Sequence, residues 1–190
     1  MPFKYLIALS VPLSCVLSLS LDGLWAFTTP LYVFGLIPFL EQWFPRLKHV
    51  GPVDLQQEWL FDLMLWLNIP FVYGILGYFI YQLEATSFLD ANQLIGWTLS
   101  VGIVLGANGI NVAHEFGHRK DQASQWAARF LLLPSLYMHF TKEHNKGHHR
   151  YVSTPEDPAT ARKNEWLQVF WFRSMIGCYI NAWKLQMQEL

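Results

Sequence analysis

Leu63–Leu83 reads LMLWLNIPFVYGILGYFIYQL, 21 uncharged residues in which Asn68 and Gln82 are the only strongly polar side chains. At a helical rise of about 1.5 Å per residue, such a run spans the ~30 Å hydrocarbon core of a bilayer. It predicts a transmembrane helix, and the sequence on either side repeats the signal. Leu94–Ala113 follows, with Asn108 and Asn111 near its end, and upstream Tyr5–Leu21 and Leu24–Leu40 are uncharged runs separated by Asp22 and Gly23. The first two runs read as a helical hairpin. A secretory signal peptide would give way to a polar mature sequence, whereas here a second apolar run follows at once.

The expectation is an all-α fold: a multi-span transmembrane helical bundle of four spans, about 5–21, 24–40, 63–83 and 94–113, followed by cytoplasmic-face helices that bear histidines. Composition agrees. Of the 190 residues 53% are hydrophobic and 14% charged, against roughly 25% charged in a soluble domain. A formal net charge of −1 leaves no basic excess for nucleic acid, and high hydrophobicity with low net charge excludes disorder. Glu41–Asp62, rich in Trp, Pro and charge, reads as an interfacial loop in which His49 is a polar anchor.

Lys4, then Arg46 and Lys48, then Arg119, Lys120 and Arg129 flank the runs on one side, whereas the short loop Glu84–Asn92 carries only Glu84 and Asp90. By the positive-inside bias, the N-terminus and everything beyond Ala113 face the cytoplasm. The division predicted is a membrane bundle, 1–113, and a cytoplasmic-face metal-binding segment, 114–190, incomplete at its C-terminal end. Within the latter, Phe130–Met138 is too short to cross and packs instead, and Tyr151–Lys163 is a loop. Trp166–Leu185, with Arg173 inside it and Lys184 near its end, reads as an interfacial helix. Gly74, Gly77, Gly102, Gly106 and Gly109 permit close helix approach or leave room for a ligand between Leu63–Leu83 and Leu94–Ala113, with packing the leading role for most of them. Cys15 and Cys178 stand far apart outside any C-x-x-C and read as packed thiols.

Six of the seven histidines fall between residues 114 and 149. His114 and His118 in HEFGH lie four apart, so a helix projects both from one face. His144 and His148 in HNKGHH repeat that spacing, and His149 adds an imidazole on the neighbouring face. So many imidazoles beside a bilayer are costly without a function. HEFGH also matches H-E-x-x-H, in which two histidines bind zinc and the glutamate, here Glu115, serves as general base. Five imidazoles exceed what one tetrahedral ion takes; an all-nitrogen set suits iron, and a pair of ions can divide it. Redox chemistry with dioxygen is then the leading class, with an intramembrane zinc protease and a non-enzymatic metal carrier as the others. Glu115, Glu143, Glu156 and Asp157 are the carboxylates that could orient imidazole N–H groups, and His139 reads as an outer support or part of a substrate path.

Four apolar runs, then NVAHEFGHRKD, then HFTKEHNKGHHRYVSTPEDPATAR: this order resembles the membrane-bound alkane monooxygenases of the membrane fatty acid desaturase and hydroxylase superfamily, and the likeness extends along the whole chain. His114 and His118 match that family's first histidine box; His144, His148 and His149 match the second. The resemblance implies that these five ligate iron in a non-haem di-iron oxygenase of the cytoplasmic (inner) membrane, with no catalytic residue beyond the metal ligands. It further implies O₂-dependent hydroxylation of a terminal alkane carbon, with electrons from rubredoxin and its NAD(P)H-dependent reductase. Arginine after the second histidine, HEFGHR, also occurs in related xylene-type side-chain hydroxylases, and fatty acid desaturation is a further alternative. The family carries a third histidine box that is not in these 190 residues, so the chain is expected to be the N-terminal portion of a longer enzyme and inactive alone.

Overall fold

A computed structural model describes residues 7–43 and 58–189. Lys4, Arg46, Lys48, His49 and most of the expected interfacial loop lie outside the described residues. Among those described, every regular element is helical. The chain divides into two compact units, Met1–Val112 and Ala113–Leu190.

The first unit holds α1 (Ser10–Ser20), α2 (Gly23–Glu41), α3 (Glu58–Ala85) and the start of α4 (Ala91–His118). Among the described residues, three helices are long and apolar enough to cross a membrane: α2, the Trp59–Ala85 portion of α3, and α4. The sequence led us to expect a fourth in 5–21. The helix described there, Ile7–Ser20, falls in a shorter class, and the residues before Ile7 lie outside those described; its C-terminal end is fixed by side chains. Leu19 O accepts from Gln82 Nε2 at 2.5 Å and Ser18 O from Trp97 Nε1 at 3.0 Å, so carbonyls left over at the helix end are satisfied without another turn.

Where α1, α2 and α4 meet, the packing is polar at its centre. Ser18 Oγ donates to Ala26 O at 2.8 Å, accepts from Ser100 Oγ at 3.0 Å and accepts from Thr29 N at 3.2 Å. Ser18, Ser100, Thr29 and Ala26 are all fully buried. Where no water or lipid can substitute, leaving a buried donor unmade costs about 1–3 kcal/mol. Ser18→Ala is therefore expected to lower unfolding stability by about that amount, read as a drop in the thermal midpoint of the detergent-solubilised protein.

The glycines correct one expectation. A Cβ built on Gly74, Gly77, Gly102 or Gly106 would meet open space, so these positions do not bring helices together. The close approach is at Gly96 instead, where a Cβ would lie 2.7 Å from Ala26 Cβ and 2.8 Å from the Ala26 carbonyl carbon. The glycine that matters is the one facing a neighbouring backbone, and one-dimensional spacing does not reveal which that is.

The second unit contains the end of α4, α5 (Gln122–Leu132), α6 (140–151) and α7 (Leu167–Met187). Asp121 opens α5 as its N-cap, accepting from Ser124 N at 2.8 Å. Leu131 and Leu132 are fully buried, whereas Phe130, Leu133, Leu136 and Met138 are exposed, so the apolar stretch after Arg129 packs only at Leu131 and Leu132, and a 3₁₀ turn follows at Leu133–Ser135. Outward, α7 exposes Trp171, Phe172, Met175, Ile176 and Trp183, an apolar face of the kind that lies against lipid.

Candidate metal centre

HEFGH closes α4. The carbonyls of its last turn have no further helix to bond to, and side chains take them up: Gly117 O accepts from Asn145 Nδ2 at 2.8 Å and from Gln125 Nε2 at 3.1 Å, and Arg119 O from Gln125 Nε2 at 2.6 Å. Asn145 belongs to the second box, so these bonds tie one histidine segment to the other. Gly117 lets them close together, since a Cβ there would sit 3.1 Å from Thr141 Cγ2.

HNKGH, His144–His148, is a π-helical turn inside α6. On an α-helix, residues five apart point about 140° from each other. The i→i+5 bonding of a π turn instead brings them onto one face. His149 therefore meets His144, with 3.0 Å between their Nε2 atoms. The sequence spacing suggested His144 with His148 as the converging pair, and the wider turn replaces that pair with His144 and His149. His144 Nε2 also lies 2.8 Å from His114 Nε2, which is 3.0 Å from His118 Nε2.

Four ring nitrogens thus form a chain of three close contacts. Each owns either one N–H or one lone pair, so hydrogens can close at most two of the three as two-centre bonds. A cation satisfies the lone pairs of His114, His118 and His144 at once, and His149 Nε2 extends the donor chain beyond them. With metal–nitrogen bonds of about 2.1 Å, adjacent ligands of an octahedral ion sit about 3.0 Å apart, close to the distances found. The donor set fits a metal ion, and His114, His118 and His144 form a triad with ligand atoms within 4.8 Å of one another. Burial, reinforced by the other imidazoles, pushes His144 down to about 4. It is neutral at ordinary pH, with its lone pair available.

His148 faces a different partner. Its Nδ1 lies 2.9 Å from Asp157 Oδ2, and its ring stacks near His144 with 5.4 Å between centroids. Asp157 is itself held: Ala159 N donates to Oδ1 at 2.9 Å and Thr160 Oγ1 to Oδ2 at 2.5 Å. Burial would raise the Asp157 carboxyl, but the bonds from Thr160, Ala159 and His148 outweigh it and hold the group below the usual carboxylate range. An ionised Asp157 fixes the proton on His148 Nδ1 and leaves Nε2 as a donor atom. Asp157→Asn is expected to weaken metal affinity roughly 10–100-fold, measured by competition with a chelator.

The other carboxylates stand elsewhere. Glu115 is exposed and faces Arg119 at 3.8 Å. Glu156 is exposed, with the Thr154 hydroxyl lowering its carboxyl. Glu143 is buried and accepts from Asn181 Nδ2 at 3.1 Å. A Cβ at Gly147 would fall 2.7 Å from Glu143 Oε1, so that glycine makes room for the carboxylate. His139 packs edge-on against Tyr137 and Tyr179, apart from the converging nitrogens. Cys178 is buried, which pushes its thiol up to about 11, and Cys15 is likewise a buried free thiol.

In the sequence Arg173 serves only to set its helix at the interface, and its structural role is not foreseen. Its guanidinium donates to Pro158 O at 3.0 Å, to Thr160 O at 2.9 Å and, bidentately, to Glu165 at 2.6 and 2.7 Å. It straps the Asp157 loop to α7. Arginine inside an otherwise apolar run was the available signal, since a charge placed there needs partners.

The sequence pattern of the fatty acid desaturase family matches residues 91–190, which include both histidine segments. The chain belongs to that family. This desaturase-family chain is 36% identical over 163 residues to an alkane 1-monooxygenase of Ectopseudomonas oleovorans, covering 83% of this chain and 40% of the relative. It is 34% identical over 190 residues to alkane 1-monooxygenase 2 of Pseudomonas aeruginosa, covering 96% of this chain and 50% of the relative. It is 26% identical over 135 residues to the hydroxylase component of a Pseudomonas putida xylene/toluene monooxygenase, covering 68% of this chain and 36% of the relative. The desaturase-family chain thus spans half or less of the length of these curated relatives.

Proposed function

We propose that this chain acts in a membrane-bound non-haem iron monooxygenase that hydroxylates the terminal carbon of alkanes. The observation that carries the metal site is the chain of four Nε2 atoms whose contacts hydrogens alone cannot satisfy. Relatives named alkane 1-monooxygenase support the reaction class, at 36% and 34% identity against 26% for the xylene/toluene component. In the overall reaction one atom of O₂ enters a C–H bond and the other leaves as water, consuming two electrons and two protons.

His114, His118, His144 and His149 would hold iron directly, and His148, oriented by Asp157, would add its Nε2. Two irons divide the imidazoles in this reading, with further ligands beyond the five. Bound iron supplies the reductive activation of O₂. The protein's own part is to hold the imidazoles neutral and aimed, and to deliver an apolar chain end through the membrane helices, away from water. Four spans, with the histidines on the cytoplasmic side of the inner membrane, would expose the site to rubredoxin and its NAD(P)H-dependent reductase. Glu115, exposed and paired with Arg119, suits a solvated charge better than the general base of a zinc protease.

Iron and zinc content per chain, measured on the detergent-purified protein after anaerobic loading with either ion, tests this. Iron retained through gel filtration and lost from His148→Ala, with Glu115→Gln unaffected, is expected. One tightly held zinc that survives His148→Ala would overturn the proposal.

A further inference from the structure

Apart from the imidazoles, the second unit holds a cavity of about 580 Å³ walled by α5, α6 and α7. Its chemistry is divided. Arg129, Lys142 and Lys146 contribute three cations to the wall, and no acidic side chain is among the described residues that line it. One carboxylate reaches these cations from the rim: Glu189 accepts from Lys142 Nζ at 2.6 Å and from Lys146 Nζ at 2.5 Å. Three positive charges against one negative leave an excess of two. Arg129 is held over the Trp126 ring at 4.8 Å, which orders its guanidinium without neutralising it.

Two lining residues, His139 and Thr141, each carry a buried polar atom without a hydrogen-bond partner, Nε2 and Oγ1 respectively. Burial holds the His139 imidazole below its ordinary pKa, so it adds no further cation to the wall. The remaining wall is apolar, formed in part by Met138, Tyr179 and Trp183. Tyr179 and Trp183 also belong to the exposed apolar face of α7, and such aromatics settle at headgroup depth. A cationic cavity opening beside a lipid-facing aromatic edge matches a guest with an oxyanion head and an alkyl tail. A free inorganic anion would leave the apolar wall unused, and an acidic protein would meet a surface more readily than it would fill a cavity.

We propose that this cavity binds the phosphate head group of an anionic membrane phospholipid, held by Arg129 and Lys146 with its chains laid over Tyr179 and Trp183. The site is separate from the metal reading and does not depend on it.

The test titrates the full chain in neutral detergent with short-chain phosphatidylglycerol, phosphatidylcholine of the same chain length and inorganic phosphate, read by calorimetry and native mass spectrometry. Phosphatidylglycerol is expected to bind at one site, more tightly than phosphatidylcholine, with phosphate much weaker than either. Arg129→Gln is expected to weaken it about fivefold, and Arg129→Lys to retain it. Lys146→Gln gives a second reading should Arg129→Gln fail to fold, which its gel-filtration profile shows. Equal binding of the two lipids, phosphate as tight as phosphatidylglycerol, or full affinity in both charge-removing variants would overturn the proposal.

Discussion

His144→Ala will abolish stable metal binding, a larger loss than that of His118→Ala. Its Nε2 is within 3.0 Å of both His114 and His149, so it joins the first histidine segment to the second. Removing it leaves His114 with His118 on α4, and His148 with His149 on α6, without the ring that joins them. Loss of a group that merely orients a ligand costs roughly 10–100-fold in affinity, and loss of the bridging ligand is expected to exceed the upper end of that range. Chelator competition reads this directly. His118→Ala is the comparison: His118 sits at the exposed end of the chain of contacts and touches His114 alone at hydrogen-bond distance. A smaller loss for His144→Ala than for His118→Ala would contradict the geometry.

Gly96→Val will be the most destabilising substitution in the first unit. A Cβ at that position lies within 2.9 Å of three atoms of Ala26, two of them backbone, so no side-chain rotation relieves the clash. Two helices must part, and with them the Ser18–Ser100 bond and the Trp97 bond to Ser18 O. Overpacking alone costs about 1–3 kcal/mol, and the lost buried hydrogen bonds add about 1–3 kcal/mol each. We expect failure to accumulate in the membrane, or a thermal midpoint too low to measure in detergent. Gly102→Val, on the same helix with open space around its Cβ, is expected to behave like wild type.

Much of this was legible in one dimension. Leu63–Leu83 announced its helix because a run of uncharged side chains has one reading at membrane length. The histidines announced a site because their cost beside a bilayer demands a reason. What stayed hidden depends on three-dimensional placement. Nothing in HNKGHH distinguishes a π turn from an α turn, so which imidazole would face His144 was not readable. Glu115, Glu143, Glu156 and Asp157 looked equivalent as letters. The fold brings Asp157 to His148, leaves Glu115 and Glu156 exposed and gives Glu143 to Asn181. Gly96 passed unnoticed among more conspicuous glycines because its importance lies in Ala26, 70 positions away in the chain.

The π turn also makes the second box uneven in the changes of length it can absorb. Deleting one residue between His144 and His149 would let the segment relax into an ordinary α-helix, and the two rings would still fall one turn apart, as His114 and His118 do. Because His149 keeps its phase relative to His144, the chain beyond it keeps its phase too, with Asp157 and the strap that Arg173 makes to its loop. Adding a residue has no such release: rings six apart diverge on an α turn and on a π turn alike. Insertions in this stretch should therefore be far less tolerated than a single deletion.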